Sequence, residues 1–511
     1  MVVQHNMQAM NANRMLNVTT STQAKSTEKL SSGYKINRAA DDAAGLTISE
    51  KMRKQIKGLD RASTNAEDGV SSVQTAEGAL TEVHSMLQRM NELAVQASNG
   101  TNSESDRSAI QDEVNQLTTE IDRVSETTKF NETYLLKGQD GKKTINMNAH
   151  DAGLAGKLVD NGDGTAAFTM DSLKAGDKVS IGGKNYTIGG TDTDVKALID
   201  AANAALKNNT DKFSLKIGDN EFQVVKDGKI LDKDGNQLYV ASAANAATPA
   251  TFDAKTSTFT TTASFTSTAA NTPKIDNAAL TVDNLKAIAS LSGKTTTVGA
   301  DTVTVMTDAK NADGTQGTDG IDDTDASIIT KENAYKLAAN ELAAANKIGD
   351  TEGASSVTNN NDGTFSIKVG QAKVANALSF SLHVGADADM TNKIEVDIES
   401  MDSASLGIKG LNVKDKTGNA ATYAIDAIAD AVAKVSEQRS ALGAVQNRLE
   451  HTIANVDNVV ENTTSAESRI RDTDMAEEMV NYSKNNILAQ AGQSMLAQAN
   501  QSNQGVLSLL Q

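Results

Sequence analysis

The fold is decided by one stretch, MRKQIKGLDRASTNAEDGVSSVQTAEGALTEVHSMLQRMNELAVQA, residues 52–97. Its apolar side chains return every three or four residues: Met52, Ile56, Leu59, Ala66, Val70, Val73, Leu80, Val83, Leu87, Met90, Ala94 and Ala97. This spacing places them on one face of an α-helix. At 1.5 Å per residue the helix is a rod of roughly 70 Å, ended by Asn99-Gly100. A stripe this narrow on a rod this long requires a partner helix.

Two further seams supply partners. The first has heptad spacing and comprises Ile110, Val114, Leu117, Ile121 and Val124. The second lies near the other end of the chain and comprises Ile428, Val432, Val435, Leu442, Val445, Leu449, Ile453, Val456, Val459 and Ile470. Residues 1 to about 140 and about 420 to 511 therefore predict helix. The expected fold is mainly α, a long antiparallel coiled-coil bundle formed by both chain ends, with a β-rich insertion.

The extreme ends have a weaker, Met- and Ala-rich periodicity. Seams of this kind seldom stabilise an isolated helix. They are either frayed ends or segments that fold only against neighbours in an assembly. The second interpretation is favoured because the apolar residues are periodic, and it assigns polymerisation to Met7, Met10, Leu16, Leu30, Ile36, Leu488, Leu496, Val506 and Leu509.

The middle of the chain changes to turns and short alternating runs. Asp-Gly and Gly-Gly pairs, such as Asp163-Gly164 and Gly182-Gly183, predict β-hairpins. Helical pieces are expected at about 192–207 and 330–346, and an exposed loop or edge hairpin at 251–272. Residues 160–170 and 359–369 share an Asp-Gly-Thr turn followed by a phenylalanine strand, which suggests two similar subdomains.

Composition excludes several classes of function. The chain has 511 residues, a formal charge of −18 and only 3% aromatic residues, which disfavours nucleic acid and anionic lipid as partners. No cysteine is present, so disulfides and thiolate sites are excluded. The sequence contains no run of 18 apolar residues, so membrane insertion is not predicted. The amino terminus lacks the pattern of a secretory signal.

No catalytic, metal or cofactor site is predicted. The five histidines, His5, His84, His150, His383 and His451, do not form a His-Glu-x-x-His pattern or a ligand pair. The segment Asp232–Asn236 resembles a calcium loop only faintly and is better explained as a hairpin turn. Glycine pairs are not followed by a phosphate-binding helix in the required frame.

Charge is distributed unevenly along the first helical region. Residues 1–60 contain nine basic and five acidic residues, a net charge of +4. Residues 61–140 contain six basic and fourteen acidic residues, a net charge of −8. The difference is either chance variation between helices or a pair of complementary bands that meet between subunits packed head to tail.

Specific motifs at both ends resemble the bacterial flagellin family. They are LSSGYKINRAADDAAGL at residues 30–46 with ISEKM at 48–52, and, near the other end, SRIRDTDMAEE at 468–478, AQAGQSMLAQANQ at 489–501 and VLSLL at 506–510. The resemblance covers about 150 residues at the front and about 100 at the back, and the motifs are long and ordered. The middle has no such match.

The resemblance implies a secreted, extracellular subunit of the bacterial flagellum that polymerises for swimming motility. It implies three layers: residues 1–45 and 456–511 as the polymerisation core, 46–155 and 395–455 as a helical bundle with a small β-hairpin region, and 156–394 as a variable outward insertion. It also implies export unfolded through a type III channel. The implied partners are other copies, an export chaperone, the filament cap and hook-filament junction proteins.

The resemblance further implies recognition of the monomer by host Toll-like receptor 5. The segment QRMNELAVQ, residues 88–96, resembles the one that the family shows to this receptor. The family's receptor contacts correspond to Gln88, Arg89, Glu92, Leu93, Gln96 and Glu113. Asn91 departs from the family, which commonly has a charged residue there.

Three rival functions are compatible with parts of this pattern. A hook–filament junction protein has the same paired-helix plan, but the quoted motifs favour flagellin. An enzyme in the insertion would need a zinc signature, which residues 156–394 lack. A surface adhesin acting through the insertion could coexist with filament formation.

Overall fold

The computed structural model describes residues 6–208, 212–235, 237–240, 252–253, 258–259, 266–267, 278–309, 317–415 and 417–508. The helices in these ranges are α1 Met7–Ser32, α2 Ala43–Ser98, α3 Glu104–Thr127, α4 Asp192–Asn208, α5 Val282–Ala289, α6 Lys331–Ala345, α7 Asn419–Arg471 and α8 Met475–Ser508.

All the strands of the described residues lie between α3 and α7. They are β1 Lys129–Phe130, β2 Thr133–Tyr134, β3 Gln139–Asn146, β4 Gly156–Asp160, β5 Thr165–Met170, β6 Lys178–Ile181, β7 Lys184–Ile188, β8 Lys212–Ile217, β9 Asn220–Val225, β10 Ile230–Leu231, β11 Leu238–Val240, β12 Phe252–Asp253, β13 Thr258–Phe259, β14 Thr266–Ser267, β15 Ala278–Ala279, β16 Thr295–Val298, β17 Asp301–Thr304, β18 Ile328–Ile329, β19 Ser356–Asn359, β20 Thr364–Lys368, β21 Gln371–Asn376, β22 Leu378–His383 and β23 Lys393–Ile398.

The long helices α2 and α7 run antiparallel, and α3 packs beside the second half of α2. The predicted seams of α2 from Val73 onward, of α3 and of the first half of α7 form one core, in which Leu80, Leu87 and Val114 are inaccessible to solvent. Towards the other end of the α2–α7 pair the burial is less complete, and Val459 of the predicted seam is 41% exposed. Asp42 caps α2 by accepting hydrogen bonds from the backbone N–H groups of Ala44 and Gly45. The predicted mainly-α bundle with a β-rich insertion is therefore confirmed.

Two boundaries differ from the sequence prediction. Helix was expected to about residue 140, but α3 ends at Thr127 and strands β1–β3 follow. Helix was also expected from about 420 to 511, and the structure divides this region at Asp472, whose backbone is extended. The spacing of apolar residues does not predict this break, because helical spacing continues on both sides of it. The two helices nevertheless pack against different partners, α7 against α2 and α8 against α1.

The hairpin β22–β23 lies against the half of the α2–α7 pair that contains the start of α2 and the end of α7, called the lower half below; the opposite end is called the upper end. It reaches the helix because Gly69 has no side chain: a Cβ there would lie 2.2 Å from Leu382 Cδ1. Leu382, Ala66 and Leu449 form part of a small core between the hairpin and both helices. A glycine inside a long helix is thus explained by close approach of the hairpin.

The insertion has two apolar cores of its own. One joins α6 to the sheet β19-β20-β5-β4 and includes Phe168, Tyr335 and Phe365. The other is formed by α4, α5 and the sheet β10-β9-β8-β16-β17. The predicted helical pieces at 192–207 and 330–346 are confirmed as α4 and α6, whereas α5 was not predicted. Most of the stretch 251–272 lies outside the described residues, as does Asp313-Gly314, another of the Asp-Gly pairs that predict a turn.

The two similar Asp-Gly-Thr segments do not form separate subdomains. They are the hairpins β4–β5 and β19–β20, which lie side by side in one sheet, with Phe168 opposite Phe365. In each turn the threonine backbone N–H donates to the preceding aspartate, from Thr165 to Asp163 at 2.9 Å and from Thr364 to Asp362 at 2.8 Å. The repeat therefore does not mark two subdomains by itself, and the division of the insertion into subdomains stays a prediction.

Candidate assembly surface

The terminal helices α1 and α8 pair with each other and not with the bundle core. They run antiparallel: the Asn6 side-chain amide donates to the Ala499 carbonyl at 3.0 Å, and Lys29 approaches Glu478 at the other end. Leu16 faces Gly492, where a Cβ would lie 3.4 Å from its Cδ1. One side of each helix is thus covered within a single chain.

A joint connects this pair to the bundle. The Lys35 backbone N–H donates to the Arg471 carbonyl at 2.8 Å, and the Thr473 backbone N–H donates to the Gly33 carbonyl at 2.9 Å. Gly33 has φ +77°, the left-handed conformation that ends α1. Both chain ends therefore leave the bundle together, in fixed register.

Both terminal helices carry large apolar side chains that are exposed to solvent. Met7 and Val480 are each 68% exposed, and Ile487 is 67% exposed. Among the residues of α1 and α8 whose burial the structure describes, the exposed large apolar residues, called the terminal stripe below, are Met7, Met10, Met15, Val18, Met475, Met479, Val480, Ile487, Leu488 and Met495. Many exposed large apolar side chains on two paired helices mark an interaction site. A groove of about 690 Å³ between the two helices, lined by Met15, Leu488 and Met495, extends this surface.

The residues predicted for polymerisation fall into two groups. Met7, Met10 and Leu488 belong to the terminal stripe, whereas Leu16, Leu30 and Leu496 are half-buried and Ile36 is buried. Val506 belongs to α8, and Leu509 lies outside the described residues. The apolar residues of the chain ends were expected to stay unburied within one molecule. In the structure, antiparallel pairing of α1 with α8 buries some of them partly and leaves the others exposed to solvent.

The residues predicted for receptor binding cluster at the upper end of α2 and α3. Arg89 Nε donates to Glu113 Oε1 at 2.8 Å, and Arg89 Nη1 donates to Glu92 Oε2 at 3.1 Å. Hydrogen bonds to Glu113 and Glu92 raise the pKa of Arg89. Gln88 and Gln96 are exposed on the same helix.

Leu93 differs from the other five receptor residues. It is only 2% exposed and packs in the bundle core. Its spacing from Met90 and Ala97 places it on the buried face of α2. Leu93 therefore lies in the core beneath the exposed group, and its assignment to receptor binding stays a prediction.

Sequence reasoning missed the joint. Arg471 Nη1 donates to Glu50 Oε1 at 2.7 Å, and its guanidinium lies over the Tyr34 ring at 4.8 Å. Tyr34 and Arg471 both occur inside the quoted motifs, but the motifs do not indicate that they touch. Val18, Val480 and Ile487 of the terminal stripe were also absent from the predicted set.

The described ranges contain no cluster of three or more histidine or carboxylate side chains arranged to hold a metal ion. None of their helices is long and apolar enough to cross a bilayer.

Comparison with known proteins identifies the family. The description "Bacterial flagellin N-terminal helical region" matches residues 3–140, and "Bacterial flagellin C-terminal helical region" matches residues 425–510. A flagellin from Clostridium tyrobutyricum is 38% identical over 507 residues, covering 99% of this chain and 100% of the relative. A flagellin from Salmonella muenchen is 36% identical over 511 residues, covering 97% and 96%.

A solved structure of FliC from Burkholderia pseudomallei is 19% identical and covers 74% of this chain and 99% of its own, with a TM-score of 0.26, too low to bear on the fold. The assignment rests instead on the two matched helical regions and on full-length relatives above 30% identity. Both matched regions contain the helices that build the bundle and the terminal stripe. The chain belongs to the bacterial flagellin family, whose members are structural filament proteins and not enzymes.

Proposed function

We propose that this chain polymerises, through its terminal stripe, into the extracellular flagellar filament that drives swimming. The observation that supports the proposal most strongly is the set of large apolar side chains exposed on the α1–α8 pair. Covering them with other copies removes them from water, which is favourable in rough proportion to the apolar area buried.

The proposal divides the chain into three layers. We assign residues 1–45 and 456–511 to the polymerising core, 46–155 and 395–455 to the surrounding bundle, and 156–394 to the outward insertion. The chain is exported before assembly in this scheme. An export chaperone, the filament cap and hook-filament junction proteins are its expected partners, because each must recognise the ends before or during polymerisation.

Seeded polymerisation tests the proposal. Purified full-length chain should stay monomeric until sheared filament seeds are added and should then extend them. Val18→Lys combined with Ile487→Lys places two charges in the terminal stripe and should abolish extension, because charges at these positions would be buried without partners. Asn185→Lys combined with Ser366→Lys adds the same charge on the exposed insertion and should extend seeds normally.

Deletion of either chain end gives a second test of the proposal. Chains lacking residues 1–40 or 460–511 should remain soluble and fail to extend seeds. Equal extension by the stripe variant and its control, as measured by light scattering and electron microscopy, would remove the terminal stripe from the assembly mechanism.

We also propose that the monomer is recognised by Toll-like receptor 5 through Gln88, Arg89, Glu92, Gln96 and Glu113. Arg89 supports this assignment, because a guanidinium held by two carboxylates is a preorganised anchor of the kind that dominates interfaces. Leu93 contributes indirectly, because its packing in the bundle core holds the part of α2 that carries these exposed side chains.

Arg89→Ala should weaken receptor binding about tenfold or more in surface plasmon resonance. Arg123→Ala removes a comparable exposed arginine, paired with Glu120 on α3, and should leave binding unchanged. Unchanged affinity for Arg89→Ala would exclude this surface as the receptor contact.

A further inference from the structure

The outer side of α2 begins with a strip of unpaired positive charge. Arg53, Lys54, Lys57 and Arg61 are exposed and lie within about 100° of one another at roughly 100° per residue. Among the ion pairs of the described residues, none involves any of the four. Three carboxylates of α2 border this basic strip: Glu50, which pairs with Arg471, Asp60 and Asp68.

The upper end of the same surface has the opposite charge. Arg89 contacts Glu113 across the two antiparallel helices, so residues seven positions away, Glu82 on α2 and Glu120 on α3, lie level with each other two turns below. Four carboxylates, Glu82, Glu92, Glu113 and Glu120, thus face only two guanidinium groups, Arg89 and Arg123. We call this group the acidic patch.

One exposed line of α2 connects the strip to the patch. It steps by three and four residues and every member is exposed: Arg61, Thr64, Asp68, Ser71, Thr75, Gly78, Glu82, Ser85 and Arg89. From Lys57 to Arg89 the helix rises roughly 50 Å at 1.5 Å per residue. The two charged regions therefore share one side of a rigid rod and cannot meet within one molecule.

We infer that the basic strip of one copy docks on the acidic patch of a second copy, which lies beside it with a stagger of about 50 Å along the bundle. This inference rests on the proposed filament. Each subunit then offers its strip to one neighbour and its patch to another, a head-to-tail contact that repeats without closing. Exposed charge pairs select partner and register and accelerate encounter more than they add affinity.

The stagger is set by where the charges lie. Only a shift near 50 Å brings the full strip opposite the full patch, whereas an unshifted neighbour would place like charges together. Salt should slow association, because both regions are exposed and are screened within about 10 Å at 0.1 M ionic strength.

Charge reversal tests the contact in the full chain. Lys57→Glu with Arg61→Glu should slow seeded elongation at low salt about tenfold or more and remove most of its salt dependence. Glu82→Lys with Glu92→Lys should do the same. A chain with all four substitutions has a neutral strip, because Arg53 and Lys54 remain, facing a patch of net charge +2, so it should elongate faster than the chain with Glu82→Lys and Glu92→Lys alone, in which a +4 strip faces that patch.

A matched control uses Lys178→Glu with Lys184→Glu, the same change in net charge on an exposed hairpin of the insertion, and should elongate normally. Reversals that behave like this control, or a filament in which neighbouring copies are not staggered by about 50 Å in electron micrographs, would overturn the inference. Failure of the wild-type chain to extend seeds is a different result, which would withdraw the filament proposal itself.

Discussion

The guanidinium of Arg471 lies 4.8 Å from the centre of the Tyr34 ring, at the point where both chain ends leave the bundle. The same arginine is 13% exposed and forms an ion pair with Glu50 at 2.7 Å. Three segments that are distant in sequence, the end of α7, the start of α2 and the link after α1, are thus held by one side chain. Contacts at this joint determine how the terminal pair is set against the bundle.

Replacing Arg471 should loosen that joint. Arg471→Gln removes the cation–π contact, worth about 1 kcal/mol, and the ion pair to Glu50. Hydrogen exchange measured by mass spectrometry should become faster in α1 and α8 and stay unchanged in the upper half of α2. Arg469→Gln, an exposed neighbour whose guanidinium reaches only Ser465, is the control. Equal protection of the terminal helices in both variants would show that Arg471 does not hold the joint.

Two glycines of α2 should respond in opposite directions to the same change. Gly69→Ala places a methyl group 2.2 Å from Leu382 and should lower the free energy of unfolding by about 1 kcal/mol net of the helix-propensity gain. Gly78→Ala meets no atom within 4 Å and should raise it by about 0.5–1 kcal/mol. Urea unfolding followed by circular dichroism measures both, and a loss at Gly78 would contradict the open environment there.

Asp350 should make the insertion sensitive to strong acid. Burial acts to raise the pKa of Asp350, but hydrogen bonds from the backbone of Ser355, Gln371 and Ala354 outweigh it and lower the pKa to about 2. A carboxyl whose folded pKa is depressed stabilises the fold above its unfolded pKa of about 3.9 and loses that effect as pH falls toward 2. Asp350→Ala should therefore destabilise the protein at pH 7 and show little difference from wild type at pH 2.

The measurement is thermal unfolding of both chains at pH 7, 4 and 2. Asp227→Ala, in the exposed turn between β9 and β10, controls for loss of a surface carboxylate. A difference between wild type and Asp350→Ala that persists undiminished at pH 2 would contradict the assigned pKa.

Leu93 should act through stability. Leu93→Ala leaves a cavity in the bundle core and should cost about 2–5 kcal/mol. Receptor binding should fall in proportion to the loss of folded chain, and binding per folded molecule should stay close to wild type. A large loss of affinity in a variant that melts like wild type would return Leu93 to the contact surface.

Much of the helical bundle could be predicted from the sequence, because the spacing of apolar residues that encodes a helix is a local pattern. Leu80, Leu87 and Val114 repeat at helical spacing, and a repeat of that length has one compact solution, a set of paired helices. The β-hairpins at Asp163-Gly164 and Gly182-Gly183 were predictable for the same reason, since a turn is encoded in adjacent residues. Packing between distant segments was not predictable.

Arg471 and Tyr34 are 437 positions apart, and no local pattern reports their contact. Leu93 shows a related limit: family motifs identified it as important, but only its place in the helix shows that it faces the core. The sharing of one sheet by the hairpins β4–β5 and β19–β20 depends on a long-range strand pairing, which their similar turns do not encode.

The central claim is that copies of the chain bury the terminal stripe against each other. Methionine oxidation tests it most directly, because methionines lie both in the terminal stripe and in the bundle core. Met7, Met10, Met475, Met479 and Met495 are each between 48% and 68% exposed, whereas Met90 is fully buried in the bundle. Peroxide treatment followed by peptide mass spectrometry should oxidise the terminal methionines rapidly in monomer and slowly in seeded assemblies, with Met90 protected in both. Terminal methionines that oxidise equally fast in monomer and assembly would show that the terminal stripe is not the surface that copies bury against each other.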